Sequence, residues 1–116
     1  MTADAWEIVL AGTLAVNAAL GFGYRVYRLS KGGPMADVIG QAILGVGLLA
    51  VAGAVATGAG WARWPSLVYA VLFGVIVMPI WVLAVLIPLR PQAVDYAFTV
   101  AYWLGLVGIA VAAIAL

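Results

Sequence analysis

The sequence predicts an all-α fold, a polytopic membrane protein built as a four-transmembrane-helix bundle, and three observations carry that expectation. Four apolar blocks separated by three short polar joints fill nearly all of the 116 residues. Hydrophobic residues make up 68% of the chain and charged ones 8%, against roughly 45–50% and about 25% in an average soluble domain. Each block is also close to the ~20 helical residues that the hydrocarbon core requires. A chain of this length has room for four such spans and little else, so residues 1–116 are read as a single transmembrane domain.

Span one is expected over about 6–26. It leaves the bilayer through Arg25, Tyr27 and Arg28, a basic and aromatic edge suited to the membrane interface. Asp4 and Glu7 stand where a secretory signal would carry cations, so the first segment is expected to be retained. Lys31-Gly32-Gly33-Pro34 breaks the helix. Pro34 and Asp37 then suit a helix start, because proline fits the first turn and a carboxylate favours the positive end of the dipole. Span two is expected over 35–57. Gly58-Ala59-Gly60 turns the chain, and Trp61, Arg63 and Trp64 place indoles and a cation at the opposite interface. Span three, 65–87, contains Pro79 and ends at Pro88-Leu89-Arg90-Pro91. Pro79 removes one backbone donor and crowds the carbonyl four residues back, which predicts a bend near Val75 to Pro79. Span four is expected over 95–116, opening at Asp95 or Tyr96.

Arg25, Arg28 and Lys31 in the first joint and Arg90 in the third fall on one side of the membrane, against Arg63 alone on the other. The positive-inside rule then makes the first side the cytoplasmic rim and puts both termini on the non-cytoplasmic side. Asp37 belongs to the same rim. Cys and His are both zero, which removes thiolate and imidazole ligands and argues against haem, iron–sulfur clusters, zinc and His-based catalysis. No catalytic, cofactor-binding or metal residue is expected. Five Lys or Arg with no dense run leave no footprint for nucleic acid.

Helices in lipid associate through close contact at small residues and through interhelical hydrogen bonds. The rows Ala11, Ala15, Ala19 in span one and Ala50, Ala54, Gly58 in span two are the expected seams, with Ala101, Gly105, Gly108 and Ala112 in span four. Ionisable residues are missing from the centres of all four spans, which counts against an ion-coupled transporter acting alone. Glu7 lies one to two turns inside the first interface and is a candidate partner for Arg63. Asn17 and Gln41 are the uncharged polar exceptions, read as a helix-helix clasp or as pathway residues. Tyr69, Tyr96, Tyr102 and Trp103 are read as interfacial anchors, with Trp103 somewhat deeper.

From Tyr24 to Arg90 the chain resembles the F subunit of Mrp-type multisubunit cation/proton antiporters, through Arg25, Arg28, Lys31, Gly33-Pro34 and Asp37. Val38 stands where that family has a basic residue, and the fourth span has no counterpart there. The resemblance implies a scaffold subunit beside larger ion-translocating subunits. The functional expectation is therefore a non-catalytic accessory or scaffold subunit, held in the lipid bilayer against other membrane subunits or against copies of itself. The alternatives are a homo-oligomeric small channel or transporter, lined by Asn17, Gln41 and Pro79, and a membrane enzyme acting on lipid or quinone at the cytoplasmic rim. Richness in Ala, Gly and Val suggests a prokaryotic plasma membrane.

Overall fold

The computed structural model describes residues 3–89 and 92–116, with the side chains of all these except positions 3, 4, 85 and 89. Four helical passes lie along a body of 43 × 22 × 20 Å, whose long axis matches the roughly 40–45 Å of a bilayer with its headgroups. The passes are α1 (Ala3–Ser30), α2 (Met35–Ala56), a composite third pass from Gly60 to Leu89, and α5 (Ala93–Ala115). The third pass holds a 3-10 turn (Gly60–Ala62), α3 (Arg63–Leu72) and α4 (Met78–Trp81). All four are long and apolar enough to cross a membrane, and no strand occurs among the described residues. Around the bundle the neighbours run α2, α1, α5, α3.

The helix ends follow from local chemistry. Gly32 and Gly58 adopt φ of +92° and +84°, a region open to glycine, and each closes a double hydrogen-bonded cap on the helix before it. Gly33 N–H reaches Arg28 O at 2.7 Å and Gly32 N–H reaches Leu29 O at 3.1 Å; Ala59 and Gly58 repeat the pattern on Ala54 and Val55. Thus α1 runs four residues beyond the expected 26, because its basic end stays helical until Gly32 provides the cap. Pro34, in extended backbone, caps α2 with Asp37 in the first turn. Gln92 N–H donates to Asp95 Oδ2 at 2.9 Å in a capping box, which starts α5 at Ala93.

The core face has one spacing throughout. Buried positions fall at Leu10, Leu14, Asn17, Gly21 and Tyr24 in α1; at Gly45, Leu48, Ala52 and Val55 in α2; and at Asp95, Thr99, Tyr102, Leu106, Ile109 and Ala113 in α5. Alternating steps of four and three residues are the mark of left-handed coiled-coil packing. This corrects part of the expected small-residue seams: Ala19, Ala50, Gly58 and Ala101 are exposed, whereas Ala112 is buried and Gly105 and Gly108 lie against Asn17 and Thr13 of α1. In α1 and α2 the buried small residues are Ala18, Gly21, Gly45 and Ala52 instead. Several small-residue rows exist on each helix, and the row that also carries the polar side chain turns inward because lipid offers that group no partner.

The third pass keeps the same rhythm at Ala62, Ser66 and Tyr69, then leaves α geometry around Pro79. Residues Phe73–Val77 and Val82–Leu86 form two π-helical turns. Met78 N–H bonds Phe73 O and Ile87 N–H bonds Val82 O, in each case at the residue before a proline. A wider turn there relieves the contact between the proline ring and the upstream carbonyl. Each π turn also inserts one residue, so the core positions Met78, Trp81 and Leu86 return to the bundle despite the five-residue step from Trp81 to Leu86.

A Cβ at Gly105 would collide with the Asn17 amide, whereas one at Gly12 would meet open space. Gly105→Ala is expected to lower stability by about 1–3 kcal/mol, and Gly12→Ala to leave it unchanged or raise it by up to about 1 kcal/mol. Thermal unfolding of both variants in one detergent checks the pair, and equal effects would refute the close α1–α5 approach.

Candidate functional site

The interior polar groups form two sets. The first sits mid-bundle and takes one side chain from every pass: Asn17 from α1, Gln41 from α2, Tyr69 from α3 and Tyr102 from α5. The Tyr69 and Tyr102 hydroxyls hydrogen-bond each other across the bundle. Both rings are buried, at 7% and 3% exposure, so the expectation of interfacial anchors is corrected for these two. A hydroxyl pair satisfies itself away from water, which frees the rings to act as core. Asn17 lies near the Tyr69 hydroxyl and Gln41 near that of Tyr102. Neither amide reaches hydrogen-bond geometry: Asn17 Oδ1 and Nδ2 and Gln41 Nε2 have no bonding partner among the described residues. Asn17 is fully buried. The two amides therefore do not clasp each other; they stand at the ends of a line whose middle is the tyrosine pair. Each lies over a glycine, Asn17 over Gly105 and Gln41 over Gly21.

The second set lies at the end of the bundle carrying the first and third joints. Tyr24 Oη donates to Asp95 Oδ1 at 2.5 Å, and Arg28 Nη1 stands 3.3 Å from the same hydroxyl and 3.9 Å from the carboxylate. Arg25 pairs with Asp37 at 3.8 Å. Arg25, Arg28 and Asp37 were expected at the cytoplasmic rim, and Asp95 at the opening of span four. The structure buries Asp95 to 9% exposure, because the antiparallel α1 and α5 bring Tyr24 and Arg28 opposite its first turn. Aromatic rings pack beneath: Tyr24 and Phe98 stack at 3.9 Å between centroids, and Trp81 meets both nearly edge-on, at 5.9 and 6.0 Å. The Arg25 guanidinium lies 5.8 Å from the Trp81 ring centre, a distance at which cation–π attraction operates.

The remaining expected residues are dispersed. Arg63 stacks on Trp64 at 5.3 Å and donates to Ile114 O at 3.4 Å. It forms no ion pair with Glu7, since the ion pairs among the described residues are Arg25–Asp37 and Arg28–Asp95. The end of α5 offers its free carbonyls to Arg63, a nearer acceptor. Lys31 is exposed, with Nζ 5.9 Å from the Tyr27 ring. Tyr96 is exposed, and Trp103 donates to Gly74 O at 2.9 Å. Pro79 is half-buried beside the π turns. Arg90 lies outside the described residues. Three or more His, Cys, Asp or Glu groups do not cluster anywhere among the described residues.

Sequence reasoning missed Tyr24, Tyr69, Trp81, Asp95 and Tyr102 as interior groups. The signal available was the four-three spacing, which runs through Asn17 and Tyr24 and through Asp95, Thr99 and Tyr102. It is masked in hydropathy because the lipid face is as apolar as the core. Fold and polar interior together define a small integral membrane protein with four membrane-spanning helices. Protein-family models, curated proteins and solved structures give no match to the chain.

Tyr24→Phe is expected to destabilise by about 1.5–3 kcal/mol, the range for a hydrogen bond to a charged group. Asn17→Leu, which replaces an unbonded buried amide by a hydrocarbon of similar size, is expected to leave the unfolding midpoint unchanged or higher. A fall of several degrees in Asn17→Leu would mean that the amide is bonded in the folded protein.

Proposed function

We propose that this chain is a non-catalytic subunit that packs against partner membrane proteins in a prokaryotic plasma membrane. The observation that carries the reading is a lateral groove of about 640 Å³ between α1 and α5, walled by Val16, Ala19, Leu20, Gly23, Ala97 and Ala101. Small side chains along a groove let a second helix approach closely enough for van der Waals contact, which is the main force for helix association in lipid. The inward turn of the polar groups supports the same reading, since it leaves an apolar outer wall. The resemblance of residues 24–90 to the F subunit of Mrp-type antiporters makes an ion-translocating, energy-transducing complex the proposed setting.

A second reading is a homo-oligomeric channel or transporter. The line Asn17, Tyr69, Tyr102, Gln41 favours it, because one polar group from each pass is the minimum from which a path is built. Symmetric assembly would then complete a pathway that four short spans do not enclose.

Affinity purification in mild detergent, followed by mass spectrometry, separates the two. Recovery with larger membrane subunits in fixed stoichiometry is the expected result, and Ala19→Phe with Ala101→Phe is expected to release them. Recovery as a defined oligomer of this chain alone, with solute flux in liposomes that Asn17→Ala abolishes, would overturn the subunit reading.

A further inference from the structure

A small, largely enclosed cavity of about 30 Å³ lies where α1, α2, the first π turn with α4, and α5 converge near the first-joint end. It has room for one occupant about the size of a water molecule or a halide ion. Its polar wall consists of Arg25, Gln41, Trp81 and Tyr102, with Phe73 and Phe98 among the apolar remainder. Three of the four polar groups are donors: a guanidinium and an indole N–H only donate, and the buried atom of the Gln41 amide is its NH₂ nitrogen. The fourth, the Tyr102 hydroxyl, is engaged by Tyr69. Trp81 Nε1 has no hydrogen-bond partner among the described residues and Trp81 is 9% exposed; Gln41 Nε2 lies near the Tyr102 hydroxyl without reaching hydrogen-bond geometry.

Two donors without a well-placed partner, in a cavity the size of one ion, call for an acceptor, and the adjoining guanidinium of Arg25 favours an anion over a neutral one. A donor-rich or cationic guest would need carboxylates or carbonyls. The nearest carboxylate paired with Arg25 is Asp37, whose side chain is 51% exposed and therefore offsets the guanidinium charge only weakly, through water. Asp95 is engaged by Tyr24 and Arg28. Burial near the low-dielectric bundle strengthens the attraction of Arg25 for an anion over its value in water, and charge-assisted hydrogen bonds from two N–H groups add to it. The π turns place the indole here, since the inserted residues return Met78 and Trp81 to the core face.

We propose that this cavity is a binding site for a small monovalent inorganic anion of halide size, held by Arg25, Gln41 and Trp81. The site is independent of whether the chain is a subunit or an oligomeric channel.

The test is an NMR titration of ¹⁵N-labelled full-length protein in detergent micelles, in which sodium chloride replaces sodium gluconate at constant ionic strength. Trp103, whose indole already donates to Gly74, serves as an internal reference for fold and bulk effects. The expected result is a saturable shift of the Trp81 indole N–H with Trp103 unmoved, reproduced by bromide. Arg25→Gln and Gln41→Leu are each expected to weaken the apparent affinity about tenfold or more, with Arg25→Lys partly restoring it. An unmoved Trp81 resonance overturns the proposal. So do equal shifts of both indoles, or a cross-peak from Trp81 to bound water that chloride leaves unchanged. If Arg25→Gln disturbs the Trp103 resonance, the Gln41→Leu titration decides.

Discussion

Hydrocarbon gives a polar group nothing to bond, and the packing of this protein follows from that single constraint. Backbone amides are answered inside helices, and at three helix ends the remaining groups are answered by two glycine caps and a capping box. Side-chain polar atoms have fewer options. Asn17, Tyr69, Tyr102, Ser66, Thr99 and Asp95 all turn into the bundle, and wherever they turn, the surrounding helix face becomes the core. The rotation of α1 and α5 is thereby fixed by polar residues, while the neighbouring apolar residues fill the space that rotation leaves.

The contact between α1 and α5 shows how the consequences accumulate. Glycine at position 105 admits the Asn17 amide, and the resulting close approach continues to the other end, where Tyr24 and Arg28 reach Asp95. The same carboxylate accepts the Gln92 backbone N–H, so it caps α5 and anchors it to α1 at once. Truncating it would remove both interactions, which is why its effect should exceed that of an ordinary surface carboxylate.

The third pass solves a different problem. Two prolines nine residues apart would each break a regular helix, and the π turns ahead of them absorb the misfit. Irregular helix inside a membrane is tolerated where neighbouring helices cover it, and Phe98, Tyr102 and Trp103 of α5 do so here. The donors gathered at that irregular stretch explain why the proposed anion site and the aromatic cluster occupy one end of the bundle. Among the described residues nothing comparable gathers at the other end, where Arg63 is engaged by Trp64 and the Ile114 carbonyl of α5.

Composition and block length alone determined the fold class, the number of passes and the positions of the joints, because membrane thickness converts hydropathy directly into helix length. Helix starts and stops were legible as well, in Gly32, Pro34, Gly58 and Asp95, since capping is local chemistry. Which face of each helix turns inward was decided only by the tertiary structure. Lipid-facing and core-facing residues are equally apolar, so no contrast along the sequence separates Ala19 from Ala18. The same ambiguity hid Tyr69 and Tyr102, whose amphipathic rings suit an interface as well as a buried pair. Only the approach of α3 to α5 supplies each hydroxyl with the other, and only the opposed directions of α1 and α5 give Asp95 its tyrosine and its arginine.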